Sequence, residues 1–394
     1  MTDPAGAIPG LPRLRPAILD LETQQIMQVS SLGMGDPDII PLWYGESDVA
    51  SAAFVNRAAA DALAAGHTFY PHKRGIPALR EAIAGYNSGL YGIDVDVERV
   101  TVTSSGMSAI MLILQTLVDP GDNVVLLGPV WPNAGAAVQV LGGQPRQVPL
   151  SPRQDGAWQL DLDRLFDACD GRTRALFVNS PNNPTGWTMT AAEQRAVLDF
   201  ARSRGLWVIA DEVYARIVYG RRAAPSFLEA MAPDDPVLVV NSFSKAWAMT
   251  GWRIGWVVHP PAYAQWLANL VEYNTSGTPP FLQHAAIAAL RDGEGFVEAM
   301  AARCRAGRAV VDRRLAALPR VRYTPPVAAF YAFFALDGMA NGLEFCKTLV
   351  REAKVGLAPG TAFGPEAEGW LRLCYARSPE VLEAAMDRLE PFLS

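Results

Sequence analysis

The residues best suited to chemistry are Asn241-Ser242-Phe243-Ser244-Lys245 and, shortly after, Gly251-Trp252-Arg253-Ile254-Gly255. Lys245 follows an apolar run at 237–240, with hydroxyls one and three residues before it and an arginine eight residues after it. A lysine amine is nucleophilic at neutral pH only when partly desolvated. Hydroxyls and a guanidinium can hold a phosphate dianion, the guanidinium through paired hydrogen bonds. Together they suit a lysine that forms a Schiff base with a carbonyl cofactor carrying a phosphate. Most lysines are solvated surface groups, but this one sits at the end of a buried-looking strand.

Three further polar motifs also follow apolar runs. Ser104-Ser105-Gly106-Met107-Ser108 follows 100–103 and opens a helix towards Leu117. Backbone N–H groups at a helix start form an anion site, and Gly106 permits close approach; Ser-Gly turns are also common. Ser180-Pro181-Asn182-Asn183-Pro184-Thr185-Gly186 follows 175–178. Taken alone it is an ordinary turn, yet an asparagine fixed between prolines presents its amide rigidly, and a cis Asn183–Pro184 bond is expected. Asp211-Glu212-Val213-Tyr214 follows 206–210. An acid at the end of a buried strand is costly without a cation to meet it; a structural arginine or a helix N-terminus would also serve.

These motifs need a frame. Short apolar runs at 100–103, 124–127, 175–178, 206–210, 237–240 and 256–258 alternate with helical segments. One helix opens on the capping box Thr190-Ala-Ala-Glu193 and runs to about Arg204. Alternating strands and helices predict an α/β fold, a mostly parallel central sheet flanked by helices. Uninterrupted apolar strands agree, being buried on both sides. In such sheets ligands bind beyond the carboxyl ends of the strands, where all four motifs fall. The large domain is placed at 46–284. Residues 1–45 and 285–394 are placed in a smaller α+β domain: a helical segment at 285–318, an apolar run at 328–336, a helix at 343–354, a strand at 370–375 and a last helix at 380–393.

Bulk properties narrow the function. The 394 residues, 50% hydrophobic and 19% charged, suffice for two domains. A net charge of −6 with scattered basic residues gives no nucleic-acid or anionic-membrane footprint. The Pro/Gly-rich start at 1–16 lacks a signal-peptide core, and no apolar run reaches the roughly 20 residues of a membrane span. Cys169, Cys304, Cys346 and Cys374 are widely spaced, as in a cytoplasmic protein with reduced thiols. His67, His72, His259 and His284 show no metal-ligand spacing, so no metal is expected.

Asn183-Pro-x-Gly, Asp211-x-x-Tyr214 and Ser-x-Ser-Lys245-x₇-Arg253-x-Gly255, in this order, resemble the fold-type-I pyridoxal-phosphate aminotransferases, and within them the aspartate/aromatic class. The resemblance spans about 45–376. It implies pyridoxal 5′-phosphate as cofactor, Lys245 as the Schiff-base lysine, and Asp211 as partner of the ring nitrogen, keeping the ring an electron sink. It implies Tyr214 and Asn183 on the ring oxygen. Arg253, Ser242, Ser244 and the backbone of Ser105, Gly106 and Met107 fall on the phosphate, and Trp131 is stacked over the ring. Trp370-Leu-Arg372-Leu-Cys-Tyr-Ala376 resembles the segment whose arginine clamps the substrate carboxylate, a role for Arg372; Arg377 misses the register. Gly45 matches a glycine of the substrate cleft. Tyr70, in Phe69-Tyr70-Pro-His-Lys-Arg-Gly75, matches a tyrosine that reaches the phosphate of a neighbouring subunit, implying a homodimer.

The resemblance has departures. Met107 stands where aspartate-using relatives carry a lysine for the distal carboxylate, with Lys73 and Arg74 as candidate substitutes. Ala134 stands where some relatives have a histidine behind the aspartate. The expected activity is ping-pong transfer of an amino group between an amino acid and a 2-oxo acid. Trp43, Tyr44, Trp131 and Met107 lean towards aromatic, methionine-like or small neutral substrates. The alternatives are a β-eliminating C–S lyase or related synthase on the same fold, and a regulator using the fold as an effector sensor, for which the N-terminus leaves no room.

Overall fold

The computed structural model describes residues 14–153 and 157–394. The expectation about a signal peptide falls mainly on residues 1–13, outside the described ones.

Seven strands build the larger sheet: β1 (Val100–Thr103), β2 (Asn123–Gly128), β3 (Gln144–Pro149), β4 (Thr173–Asn179), β5 (Trp207–Asp211), β6 (Val237–Ser242) and β7 (Gly255–Val258). Their order is β1-β7-β6-β5-β4-β2-β3. All neighbours run parallel except β7, which is antiparallel to both β1 and β6. The six apolar runs are thus strands. β3 is not such a run: it is a polar edge strand, Gln-Pro-Arg-Gln-Val-Pro, mostly half-exposed. Proline is tolerated there because an edge strand has a side with no ladder to feed.

Side chains alternate between the sheet's two faces. Val124 and Leu126 join one hydrophobic core, Val125 and Leu127 the other, as a period of two requires. Helices cover both faces. The capping box at Thr190 and Glu193 opens the helix Ala191–Arg204, which stops at Gly205 in the left-handed region.

A four-stranded antiparallel sheet follows: β8 (Val321–Tyr323), β9 (Tyr331–Leu336), β10 (Ala358–Pro359) and β11 (Trp370–Cys374), in the order β8-β9-β11-β10. The single helical segment expected at 285–318 is two helices, Pro280–Asp292 and Glu294–Ala316. They part at Gly293, where a Cβ would overlap the Ala289 carbonyl oxygen. The helix expected at 343–354 is Gly342–Thr348, continued by a π-turn at Leu349–Ala353. The N-terminal segment contributes Ile40–Pro41, which pairs in parallel with Val355–Gly356. Among the described residues no helix is long and apolar enough to cross a membrane.

Candidate active site

The strand directions put the carboxyl ends of β1, β4, β5 and β6 on one edge of the larger sheet. Asp211 ends β5, and Asn179, opposite it on β4, fixes the loop beyond. Asn179 Nδ2 donates to the Asp211 carbonyl at 3.1 Å, and Asn179 Oδ1 accepts from the Asn183 amide at 2.8 Å. Both Ser180–Pro181 and Asn183–Pro184 are cis.

β6 ends at Ser242, whose hydroxyl lies 2.8 Å from that of Ser244 and accepts from the Ser244 amide at 3.1 Å. Gly255 opens β7 between Thr103 and Ser242. A Cβ there would lie 2.7 Å from the Asn241 carbonyl and 2.8 Å from the Gly106 nitrogen. Glycine is therefore what lets the helix Gly106–Leu117 begin against the lysine segment. Ser105 caps that helix, its Oγ accepting from the Ser108 amide at 2.9 Å. Its φ of 139° lies where only glycine is at ease, a conformation that persists when the surroundings enforce it.

A cavity of about 370 Å³ at this edge is lined by Gly45, Gly106, Met107, Trp131, Asn183, Asp211, Tyr214, Ser242, Ser244, Lys245, Arg253 and Arg372. Of the residues proposed from sequence, Ser105 is buried just behind the wall, one residue before Gly106. Tyr70 stands apart, 86% exposed, with Lys73 Nζ 5.3 Å from its ring.

Lys245 Nζ donates to the Gly45 carbonyl at 2.6 Å and lies 5.7 Å from the centre of the Tyr214 ring. Burial brings its pKa down to about 8, so a fraction of the amine is neutral near pH 7. Burial also pushes Asp211 up to about 6. Its carboxylate accepts from the Val213 amide at 3.3 Å, too little to satisfy a buried anion, so the site asks for a cation there. Tyr214 and Tyr331 touch through their hydroxyls at 2.6 Å. Arg372 is buried and donates to Asn183 Oδ1 at 3.1 Å and to the Trp43 carbonyl; its Nε is without a partner. An asparagine whose oxygen is taken by arginine has its N–H donors left for a ligand.

Arg253 Nη1 donates to the Thr250 carbonyl at 2.7 Å, and the residue takes the left-handed conformation, φ 55°. Arg377 is directed elsewhere, to the Pro41 carbonyl at 2.8 Å. Lys73 and Arg74 are engaged outside the cavity. Lys73 pairs with Glu272 at 2.6 Å, and Arg74, buried, pairs with Glu98 at 2.8 Å. Within one chain neither substitutes for the missing lysine at Met107.

Tyr331, Asn179, Gln24, Ile26, Ile110 and Asn133 also line the cavity and were not drawn from sequence. Tyr331 lies inside the apolar run 328–336 and reads as core. Gln24 and Asn133 carry no motif; only the fold brings them to 2.8 Å, Nε2 donating to Oδ1.

The donor set suits a phosphorylated pyridine aldehyde: a buried carboxylate for a protonated ring nitrogen, a phenol for a ring oxygen, hydroxyls, Arg253 and a helix start for a phosphate, and a desolvated amine for the aldehyde. The profile of the family "Aminotransferase class I and II" matches residues 37–389. The chain belongs to this family. It is a pyridoxal-phosphate-dependent aminotransferase, with the fold of that family. It is 33% identical to an aspartate aminotransferase of Pyrococcus horikoshii, over 95% of this chain and 96% of the other. It is 35% identical to an arginine–pyruvate transaminase of Pseudomonas aeruginosa, over 89% of each. The solved Thermus thermophilus aspartate aminotransferase with maleate superposes with a TM-score of 0.89 at 32% identity, covering 97% of this aminotransferase and 100% of that chain. These names are transaminases, not lyases, and they act on differing amino acids.

Proposed function

We propose that this aminotransferase works through Lys245, Asp211 and Tyr214, on amino acids with neutral side chains. Lys245 Nζ would be the amine that holds the cofactor, and the same amine would carry the α-proton of the substrate. Asp211 holds the ring nitrogen protonated, and Tyr214 with Asn183 Nδ2 donates to the ring oxygen. Arg253, Ser242, Ser244 and the backbone of Ser105, Gly106 and Met107 hold the phosphate. Trp131 covers the ring. The bound cofactor supplies the electron-withdrawing ring that stabilises the carbanion at the α-carbon.

Arg372 binds the substrate α-carboxylate, a role its planar fork suits, and Gly45 leaves room beside it. The observation that carries the reading is the convergence of Lys245, Asp211, Tyr214 and Arg372 on one 370 Å³ cavity. A buried arginine Nε without a partner is consistent with an incoming carboxylate.

The neutral-substrate reading is supported by Ile26, Met107, Ile110 and Trp131 in the cavity wall, where the cations are Lys245, Arg253 and Arg372, each already assigned. The enzyme acts as a homodimer in the cytoplasm, with Tyr70 completing the partner's phosphate site; its 86% exposure supports a contact made outside its own chain. A division into 46–284 and 1–45 with 285–394 is supported by the presence of two separate sheets, one within 100–258 and one within 321–374.

A single-turnover experiment tests the reading. Excess amino acid without a 2-oxo acid yields one 2-oxo acid per site and then stops. Continued release of pyruvate and ammonia contradicts it. A donor panel against 2-oxoglutarate and pyruvate tests the substrate class, which a clear preference for aspartate overturns.

A further inference from the structure

Tyr331 meets the proposed machinery on three sides. It opens β9, is wholly buried and lines the cavity. Its hydroxyl is 2.6 Å from that of Tyr214. Its ring lies 4.6 Å from Cζ of Arg372, which is also 4.9 Å from the Phe363 ring. A Cβ on Gly45 would overlap its hydroxyl, and the Gly45 carbonyl is the acceptor of Lys245 Nζ.

A phenol has one proton to donate. Two isolated phenols in contact can share it either way. If Tyr214 gives its proton to the cofactor's ring oxygen, the contact between the two hydroxyls must run from Tyr331 to Tyr214. Burial raises the pKa of both, so both stay protonated. Hydrogen bonds in such a chain polarise and strengthen one another. The Arg372 guanidinium, meanwhile, has an aromatic face beside it in a water-poor site, where cation–π attraction is strongest.

We propose that Tyr331 is a positioning residue with two separable roles: its hydroxyl donates to Tyr214 and so aims the Tyr214 proton at the cofactor, and its ring holds the Arg372 guanidinium in place for the substrate carboxylate. The proposal rests on the roles given to Tyr214 and Arg372 above.

The test compares holoenzymes carrying Tyr331→Phe, Tyr331→Leu, Tyr214→Phe and the double Tyr214→Phe/Tyr331→Phe. Two quantities are read: the pH titration of the bound cofactor's visible absorbance, and the Kd of propionate, a bare carboxylate probe. A bond donated to the ring oxygen lowers the pH at which the chromophore titrates, so losing or weakening it moves the titration up. Tyr331→Phe, which keeps the ring, shifts the titration up by about half a pH unit and leaves propionate binding within about two-fold. Tyr331→Leu gives the same shift and weakens propionate about ten-fold. Tyr214→Phe shifts the titration further, and adding Tyr331→Phe to it shifts nothing more. An unshifted titration in Tyr331→Phe, or a further shift in the double variant, overturns the hydroxyl role. Unchanged propionate affinity in Tyr331→Leu overturns the ring role. An unshifted Tyr214→Phe overturns the reading of Tyr214 itself, and the hydroxyl role with it.

Discussion

Arg372 Nη1 donates to Asn183 Oδ1 at 3.1 Å, a bond that joins the four-stranded sheet to the loop after β4 of the seven-stranded sheet. The guanidinium is thereby held in the cavity by residues distant in sequence, ready for a carboxylate.

Arg372→Lys keeps the charge and loses the fork. The preferred amino donor should then lose about 10²–10³-fold in kcat/KM, or about 3–4 kcal/mol, largely through KM. Steady-state kinetics check this; a change below about three-fold would place the carboxylate elsewhere.

Asp211 gives a pH signature in the cofactor-free protein. Its folded pKa of about 6 lies above the ordinary 3.8. Between about pH 4 and 6 the folded state keeps a proton that the unfolded state has lost. This group's contribution therefore falls as pH rises through that window, by about 3 kcal/mol in all. Asp211→Asn removes the dependence, so cofactor-free Asp211→Asn should gain stability over the unsubstituted protein as pH goes from 4 to 8. Urea denaturation at both pH values measures the difference. With cofactor, the same variant should lose about 10²–10³-fold in kcat, the scale for removing one electrostatic stabiliser of the transition state.

Much of this site was legible because each motif follows a buried strand: Asn183 after β4, Asp211 on β5, Lys245 after β6, Gly106 after β1. Apolar runs mark such strands, and the chemistry collects at their carboxyl ends. Tyr331 was not legible, since an aromatic inside an apolar run has the pattern of a core residue. Asn179 was hidden for a similar reason, as the residue that closes a strand directly after the apolar run 175–178. β3 lacks the apolar pattern because it is an edge. The break at Gly293 has a sequence mark, Asp292-Gly293-Glu294-Gly295, a turn pattern set between two Ala-rich helical stretches that otherwise read as one. The Gln24–Asn133 contact depends on two segments 109 residues apart, which no local pattern reports.

Tyr70 is exposed in the single chain, so its loss should leave the fold intact and damage the partner's site. Mixed, refolded dimers of Tyr70→Ala and Lys245→Ala would then regain activity. Random 1:1 mixing restores about one quarter of the active sites, because each hybrid dimer holds one complete site. Activity no higher than the sum of the two variants alone would show that Tyr70 acts within its own chain or not at all.

The most direct test of the account is borohydride reduction of the protein with its cofactor, followed by peptide mass spectrometry. The account predicts one cofactor-sized mass addition per chain, carried by Lys245, and none in Lys245→Ala. An addition on another lysine, or a bound cofactor that reduction leaves unattached, would contradict it.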